Sequence, residues 1–160
     1  MKAWVFGDDV DTDVIVPGRY MKFGIEEIAK HCLESLLPSF AVSVRKDDVI
    51  VAGRNFGCGS SREQAPAALK HLGVAALVAE SFAGLFYRNA LNLGLAAVVC
   101  QDAKRIRDGE ELRIDYGKNE IVTARETLAF EPIPPHLMEM VRDGGLLPHL
   151  ERRLKCRTTS

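Results

Sequence analysis

Short apolar runs alternate with stretches in which apolar residues recur every three or four positions, and glycine punctuates most of the boundaries between them. Trp4-Val5-Phe6 reads as a first short strand. After the polar loop Gly7 to Asp13, the β-branched run Val14-Ile15-Val16 reads as a second. Ile25, Ile28, Ala29 and Cys32 fall on one helical face and predict a helix from about Ile25 to Leu33, with Pro38 breaking the segment from Leu36 to Phe40. Val49-Ile50-Val51-Ala52 is the next strand. Ala67, Ala68, Leu69 and Leu72 then predict a helix stopped by Gly73, and Val74 to Ala79 a strand. Ser81 is placed to cap a helix carrying Leu85, Phe86, Ala90, Leu91 and Leu93 as far as Gly94, before a strand at Ala96 to Cys100. Strand, helix, strand, helix, strand implies parallel pairing through right-handed crossovers.

Beyond Gln101 the period changes to two. Glu111 to Tyr116 and Glu120 to Thr123 alternate apolar and polar about the turn Gly117-Lys118-Asn119, and Leu128-Ala129-Phe130 offers a further strand. A last helix from about Pro135 to Arg142 ends at Gly144-Gly145, and Arg152 to Ser160 reads as a frayed basic tail. No internal repeat or linker divides residues 1–160, so the expectation is one α/β domain with a β-rich C-terminal part.

The junction Arg54-Asn55-Phe56-Gly57-Cys58-Gly59-Ser60-Ser61-Arg62-Glu63-Gln64-Ala65-Pro66 concentrates the polar chemistry. A strand that ends in a glycine turn and enters a helix N-terminus gathers backbone N–H groups, two hydroxyls and a guanidinium around one point, which suits an anion. Gly57 and Gly59 permit a tight turn and close approach to a ligand, and Arg62 offers a planar fork for carboxylate or phosphate. Neither standard nucleotide loop fits: a dinucleotide fingerprint needs glycine where Arg62 stands, and a Walker A loop needs lysine where Gly59 stands. Capping boxes, Ser60 with Glu63 or Ser61 with Gln64, are the competing reading. Pro66 favours a helix that starts later, near Glu63, and leaves both serines in the loop.

Gly57-Cys58-Gly59-Ser60-Ser61-Arg62-Glu63, followed by Ala65-Pro66, Ser81-Phe82-Ala83 and Phe86-Tyr87-Arg88-Asn89, resembles the small subunits of 3-isopropylmalate dehydratase, which are similar to the swivelling domain of aconitase. The resemblance implies a swivelling β/β/α domain with a central parallel or mixed sheet flanked by helices. It implies a hydro-lyase that isomerises 2-isopropylmalate and 3-isopropylmalate by dehydration and rehydration, a step of leucine biosynthesis. Ser60 would be the base, acting as an alkoxide, with Ser61 and Arg62 holding a substrate carboxylate. Asp13 would orient cationic groups, Gly57 and Gly59 would shape the loop, and Arg88 and Asn89 match a further motif for which a purely structural role is equally open. The loop Tyr20-Met21-Lys22-Phe23 corresponds to the segment that senses the variable part of the substrate. Met21 and Phe23 there suit an isopropyl group, whereas Lys22 suits an additional carboxylate as in homoaconitase-like relatives, or simply extends into solvent. Gln64 and Gly84 depart from the His and Arg often found at these places in the pattern.

Composition changes this picture little but bounds it. Of the 160 residues 47% are hydrophobic and 27% charged, as in a globular protein, and a net charge of −1 without a Lys/Arg cluster argues against nucleic acid. No apolar stretch is long enough for a membrane span or a signal segment, so the cytoplasm is the expected location. Cys32, Cys58, Cys100 and Cys156 lack zinc spacing and are scattered, so this chain is expected to bind no metal itself. The [4Fe–4S] cluster implied by the resemblance would come with a large-subunit partner, leaving this chain inactive alone. The competing function class is a stand-alone domain that captures an anion without chemistry.

Overall fold

The computed structural model describes residues 1–159. Its centre is a parallel sheet of four strands in sequence order, β1 (Ala3–Val5), β2 (Val49–Ala52), β3 (Ala76–Ala79) and β4 (Ala96–Val99). The registers Trp4 to Ile50, Ile50 to Leu77 and Leu77 to Ala97 carry one row of side chains straight across it. Strand side chains alternate between faces, so these short apolar runs serve two cores. Trp4, Ile50, Leu77 and Ala97 point into a helical layer, while Val49, Val51, Ala76, Val78 and Val98 point the other way. That second face is covered by an antiparallel sheet, β5 (Leu112–Asp115), β6 (Glu120–Thr123) and β7 (Thr127–Ala129), through Leu112, Ile114, Ile121 and Leu128. The result is a β/β/α sandwich, as expected.

The helical layer contains four elements that frame the chemistry. They are α1 (Thr12–Ile15), α2 (Ile25–Ala29), α4 (Gln64–His71) and α5 (Gly84–Asn92), with the short α3 (Phe40–Ser43) at the periphery. In place of the expected strand at Val14 to Val16, Val14 and Ile15 are helical and Val16 is the extended residue that ends the helix. Asp11 caps α1 by accepting a hydrogen bond from the Val14 N–H at 2.9 Å, and this local cap overrides the β-branched run. The predicted helix from Ile25 to Leu33 stops at Ala29 and continues as tight turns. Leu33, fully buried, lies within them with φ +56° and donates its N–H to the Ile15 carbonyl at 3.0 Å. A tertiary bond thus holds a leucine in a region that costs roughly 1–2 kcal/mol.

Ser81 does not cap α5, whose N-cap is Ala83; its Oγ accepts the Asn55 N–H at 2.8 Å and so ties down the central loop. After α6 (Pro135–Arg142), the chain from Leu146 to Thr158 forms α7 rather than a frayed tail. Arg152 explains the difference: it pairs with Glu139 on α6 at 2.5 Å and with Asp143 at 2.8 Å. The positions from 153 to 159 are exposed on this helix, and Ser160 of the expected tail lies outside the described residues.

Candidate active site

The loop between β2 and α4 has a shape that only particular residues permit. Gly57 has φ +82°, and a Cβ added there would sit 2.1 Å from Phe86 Cγ. The backbone can pass over that buried ring because the side chain is missing. Gly59 has φ +89° with ordinary contacts, the nearest being Asp11 Cβ at 3.4 Å, so glycine serves the turn there rather than the packing. Two sequence-distant strands of chain hold the loop. Gly57 N–H donates to the Val10 carbonyl at 2.7 Å and Thr12 N–H to the Cys58 carbonyl at 2.8 Å, while Phe56 and Ala83 bond across to the segment before α5.

Helix α4 begins after the serines. Its N-cap is Glu63, which makes no side-chain capping bond, and Pro66 occupies the third helical position, where no N–H is required. Neither capping box forms, and Ser60 and Ser61 remain exposed in the loop. The Ser60 carbonyl accepts the Thr12 hydroxyl at 2.7 Å, which fixes the backbone while leaving the Ser60 Oγ without a hydrogen-bond partner among the described residues. Thr12, 2% exposed, makes this bond to a partner 48 positions away in the sequence.

Arg62 is held from one side. Its Nη1 donates to Asp13 Oδ1 at 2.8 Å and to the Val16 carbonyl at 3.0 Å. Asp13 Oδ1 also accepts the Gly18 N–H at 3.0 Å. Nε and Nη2 have no partner among the described residues, so the guanidinium offers a free edge suited to two carboxylate oxygens. The Arg62 hydrogen bond, helped by the Gly18 N–H, holds the Asp13 carboxyl below its ordinary value of 3.8. A depressed carboxyl pKa stabilises the fold above the ordinary value and loses that contribution as pH falls through the depressed one. Urea unfolding of wild type and Asp13→Asn should therefore differ by a constant amount above about pH 5 and converge on acidification below it. A difference that persists unchanged at the acid end would show that the Asp13 charge is not what matters.

Thr12, Gly57, Gly59, Ser60, Ser61 and Arg62 form the polar wall of a cleft of about 160 Å³. Ala83, Gly84, Leu85 and Phe86, with Asn89, form the other wall. The cleft therefore receives the start of α5, and α4 starts directly behind Arg62; neither helix has a side-chain N-cap. At α4 the Ala65 N–H is taken by the Arg62 carbonyl at 3.2 Å and Pro66 has none, but the two helix dipoles still add partial positive charge to that of Arg62, and a positive field of this kind favours ionisation of a hydroxyl and capture of carboxylates. At Gly84 an added Cβ would meet nothing within 4 Å, so the place where the pattern often has Arg is open space.

Of the paired candidates on α5, only Asn89 reaches this cleft. Arg88, one residue and about 100° further round the helix, lines a separate groove with Tyr87, His136 and Leu137. Lys22 and Tyr20 lie on the segment that follows Gly18, close to Arg62: a Cβ on Gly18 would be 3.5 Å from Arg62 Nη2. The Lys22 ammonium rests 5.3 Å from the Phe23 ring centroid, and Met21 packs inward against the helical core.

The cysteines do not assemble a ligand set. No group of three or more metal-ligating side chains occurs among the described residues. Cys32 and Cys100 are buried, the Cys32 thiol being pushed up to about 12 by burial, and Cys156 is exposed on α7. Cys58, in the loop, is raised by burial and then by the charges of Asp11 and Asp9, the opposite of what thiolate ligation needs. These residues do not fit an iron–sulfur cluster.

The chain is similar to known proteins in sequence and fold. Residues 36–103 match the aconitase C-terminal domain. The chain is 51% identical over 152 residues to the methanogen homoaconitase small subunit of Methanothermobacter thermautotrophicus, covering 92% of this chain and 88% of that one. It is 50% identical over 158 residues to the 3-isopropylmalate dehydratase small subunit of Moorella thermoacetica, covering 96% and 95%. The crystal structure of 3-isopropylmalate dehydratase from Methanocaldococcus jannaschii superposes with a TM-score of 0.94 at 43% identity, covering 99% of this chain and 96% of that one.

Proposed function

Because the chain belongs to the aconitase-related family of dehydratase small subunits, we propose that it is the small subunit of a hydro-lyase interconverting 2-isopropylmalate and 3-isopropylmalate in leucine biosynthesis. Dehydration of a hydroxy acid needs a base for the C–H proton and an acid for the departing hydroxyl. Ser60, in the field of Arg62 and of two helix N-termini, is the base; Ser61 and the free edge of Arg62 hold a substrate carboxylate. The single observation that carries this reading is the arrangement of Arg62, fastened by Asp13 and Val16 through one nitrogen and lining one cleft with Ser60 and Ser61.

Among the described residues no group of side chains is placed to hold a Lewis-acid metal, and the cysteines do not fit a cluster. The partner is accordingly a large subunit carrying a [4Fe–4S] cluster, which supplies that acid in the complex. Asn89 completes the cleft as a hydrogen-bonding group, Asp13, Gly57 and Gly59 support it, and Arg88 acts from outside it.

Lys22 favours a second reading. It is exposed, with no carboxylate partner among the described residues, on the segment next to Arg62, and it could meet the additional carboxylate of homoaconitate or another substituted malate. Phe23, 46% exposed, offers apolar surface to an isopropyl group instead. A substrate panel on the reconstituted complex separates the two. With isopropylmalate as substrate, Lys22→Val should leave the ranking unchanged. Selective loss of tricarboxylate turnover would make homoaconitate the substrate.

A further inference from the structure

The segment Gly18 to Phe23 leaves Arg62 and ends at a cluster of aromatic and charged side chains. Tyr20 stacks on His31 with ring centroids 3.6 Å apart and planes 5° from parallel, and Arg19 Cζ lies 4.9 Å over the Tyr20 ring. Glu34 joins the set from below: its carboxylate meets Arg19 Nη2 at 2.6 Å and His31 Nδ1 at 2.8 Å. Glu27 faces the other nitrogen of His31 at 3.5 Å and pairs with Lys30 at 2.9 Å. His31 first, and Arg19 after it, hold the Glu34 carboxyl below its ordinary value. His31 and Glu34 are only about a quarter exposed, so their contact is less screened than a surface pair, whereas the Arg19 side chain of the second contact is 70% exposed.

Both ends of the segment are thereby referred to the same helix. At its start, Gly18 N–H binds Asp13, which binds Arg62 just before α4. At its end, His31 and Glu34 follow α2, which packs against α4. The left-handed Leu33, bonded to Ile15, makes the bend immediately before Glu34. Within the segment itself only local turns are present, such as Met21 N–H to the Gly18 carbonyl at 3.1 Å and Phe23 N–H to the Tyr20 carbonyl at 3.0 Å.

We propose that Arg19, His31 and Glu34 are positioning residues that latch the Gly18–Phe23 segment against the Arg62 side of the cleft and so set how tightly substrate is held. None of them lines the cleft beside Ser60, so their effect passes along the segment to Gly18 and through Asp13 to Arg62. The proposal rests on the reading of this cleft as the substrate site.

Two measurements on the complex with its large subunit test it. Amide hydrogen exchange at Met21 and Phe23 reads the latch whatever reaction occurs, and steady-state kinetics with 3-isopropylmalate read its use. Glu34→Ala should speed exchange at both amides and raise KM about fivefold with kcat within about twofold. Glu34→Gln, which keeps an acceptor for Arg19, should restore most of both. Unchanged exchange in Glu34→Ala overturns the latch, whichever substrate the complex uses. Faster exchange with unchanged KM overturns its role in positioning while leaving the assignment of the cleft intact.

Discussion

Ser60→Ala is expected to lower turnover of the reconstituted complex by roughly 10²–10⁴-fold, the usual range for loss of a positioned acid–base group. The structure separates this effect from misfolding. Ser60 is exposed, its Oγ bonds nothing among the described residues, and the Thr12 contact goes to its backbone carbonyl, which the variant keeps. Stability, association with the large subunit and KM should therefore change little, so the loss falls on kcat. Near-normal kcat in Ser60→Ala would remove the base from this chain, leaving Arg62 as a carboxylate grip alone.

Gly57→Ala is expected to be the most destabilising single-methyl change in the loop. Two costs combine. Placing alanine at φ +82° strains the backbone by about 1–2 kcal/mol. The new Cβ would also lie 2.1 Å from Phe86 Cγ and 2.5 Å from its Cβ, the root of a side chain that is 3% exposed. That contact cannot be relieved by a rotamer change and adds roughly 1–3 kcal/mol of overpacking. A total of about 2–5 kcal/mol corresponds to a melting temperature lowered by roughly 5–15 °C in a protein of this size. Gly59→Ala is the internal control, because it carries the backbone strain without the clash and should lose only the smaller part. Thermal or urea unfolding of the two variants checks the order, and an equal loss in both would show that the approach to Phe86 is not what requires glycine.

What was legible in the sequence was local. The run Val49 to Ala52, two glycines, two serines, Arg62 and Pro66 specify a strand, a turn and a delayed helix start because each residue restricts its own backbone. The helix at Pro135 to Arg142 was legible for the same reason. Errors arose where a distant partner decided the outcome. Val14-Ile15-Val16 has strand propensity, yet Val14 and Ile15 are helical, because the distant Cys58 carbonyl accepts the Thr12 N–H and the local Asp11 cap starts a turn there. Arg152 looked like part of a frayed end, and only its pairing with Glu139 and Asp143 shows why α7 forms. Ser81 was placed to cap a helix and instead holds Asn55, 26 residues earlier. In the candidate site the loop residues were readable, whereas the bond from Thr12 to the Ser60 carbonyl, the Val16 carbonyl and the Glu34 contacts were not, since none has a marker in its own neighbourhood. Arg88 and Asn89 were adjacent in sequence, and the helical period alone sends them to different grooves.

The most direct test is reconstitution. The purified chain, a cluster-bearing large subunit and their mixture are each given 3-isopropylmalate, and appearance of the dehydrated intermediate and of 2-isopropylmalate is followed. Turnover in the mixture alone, lost when Ser60→Ala replaces the wild-type chain, is the predicted result. Tight dicarboxylate binding by the chain alone, with no turnover in a mixture whose two subunits demonstrably associate, would contradict it and leave an anion-binding domain without chemistry.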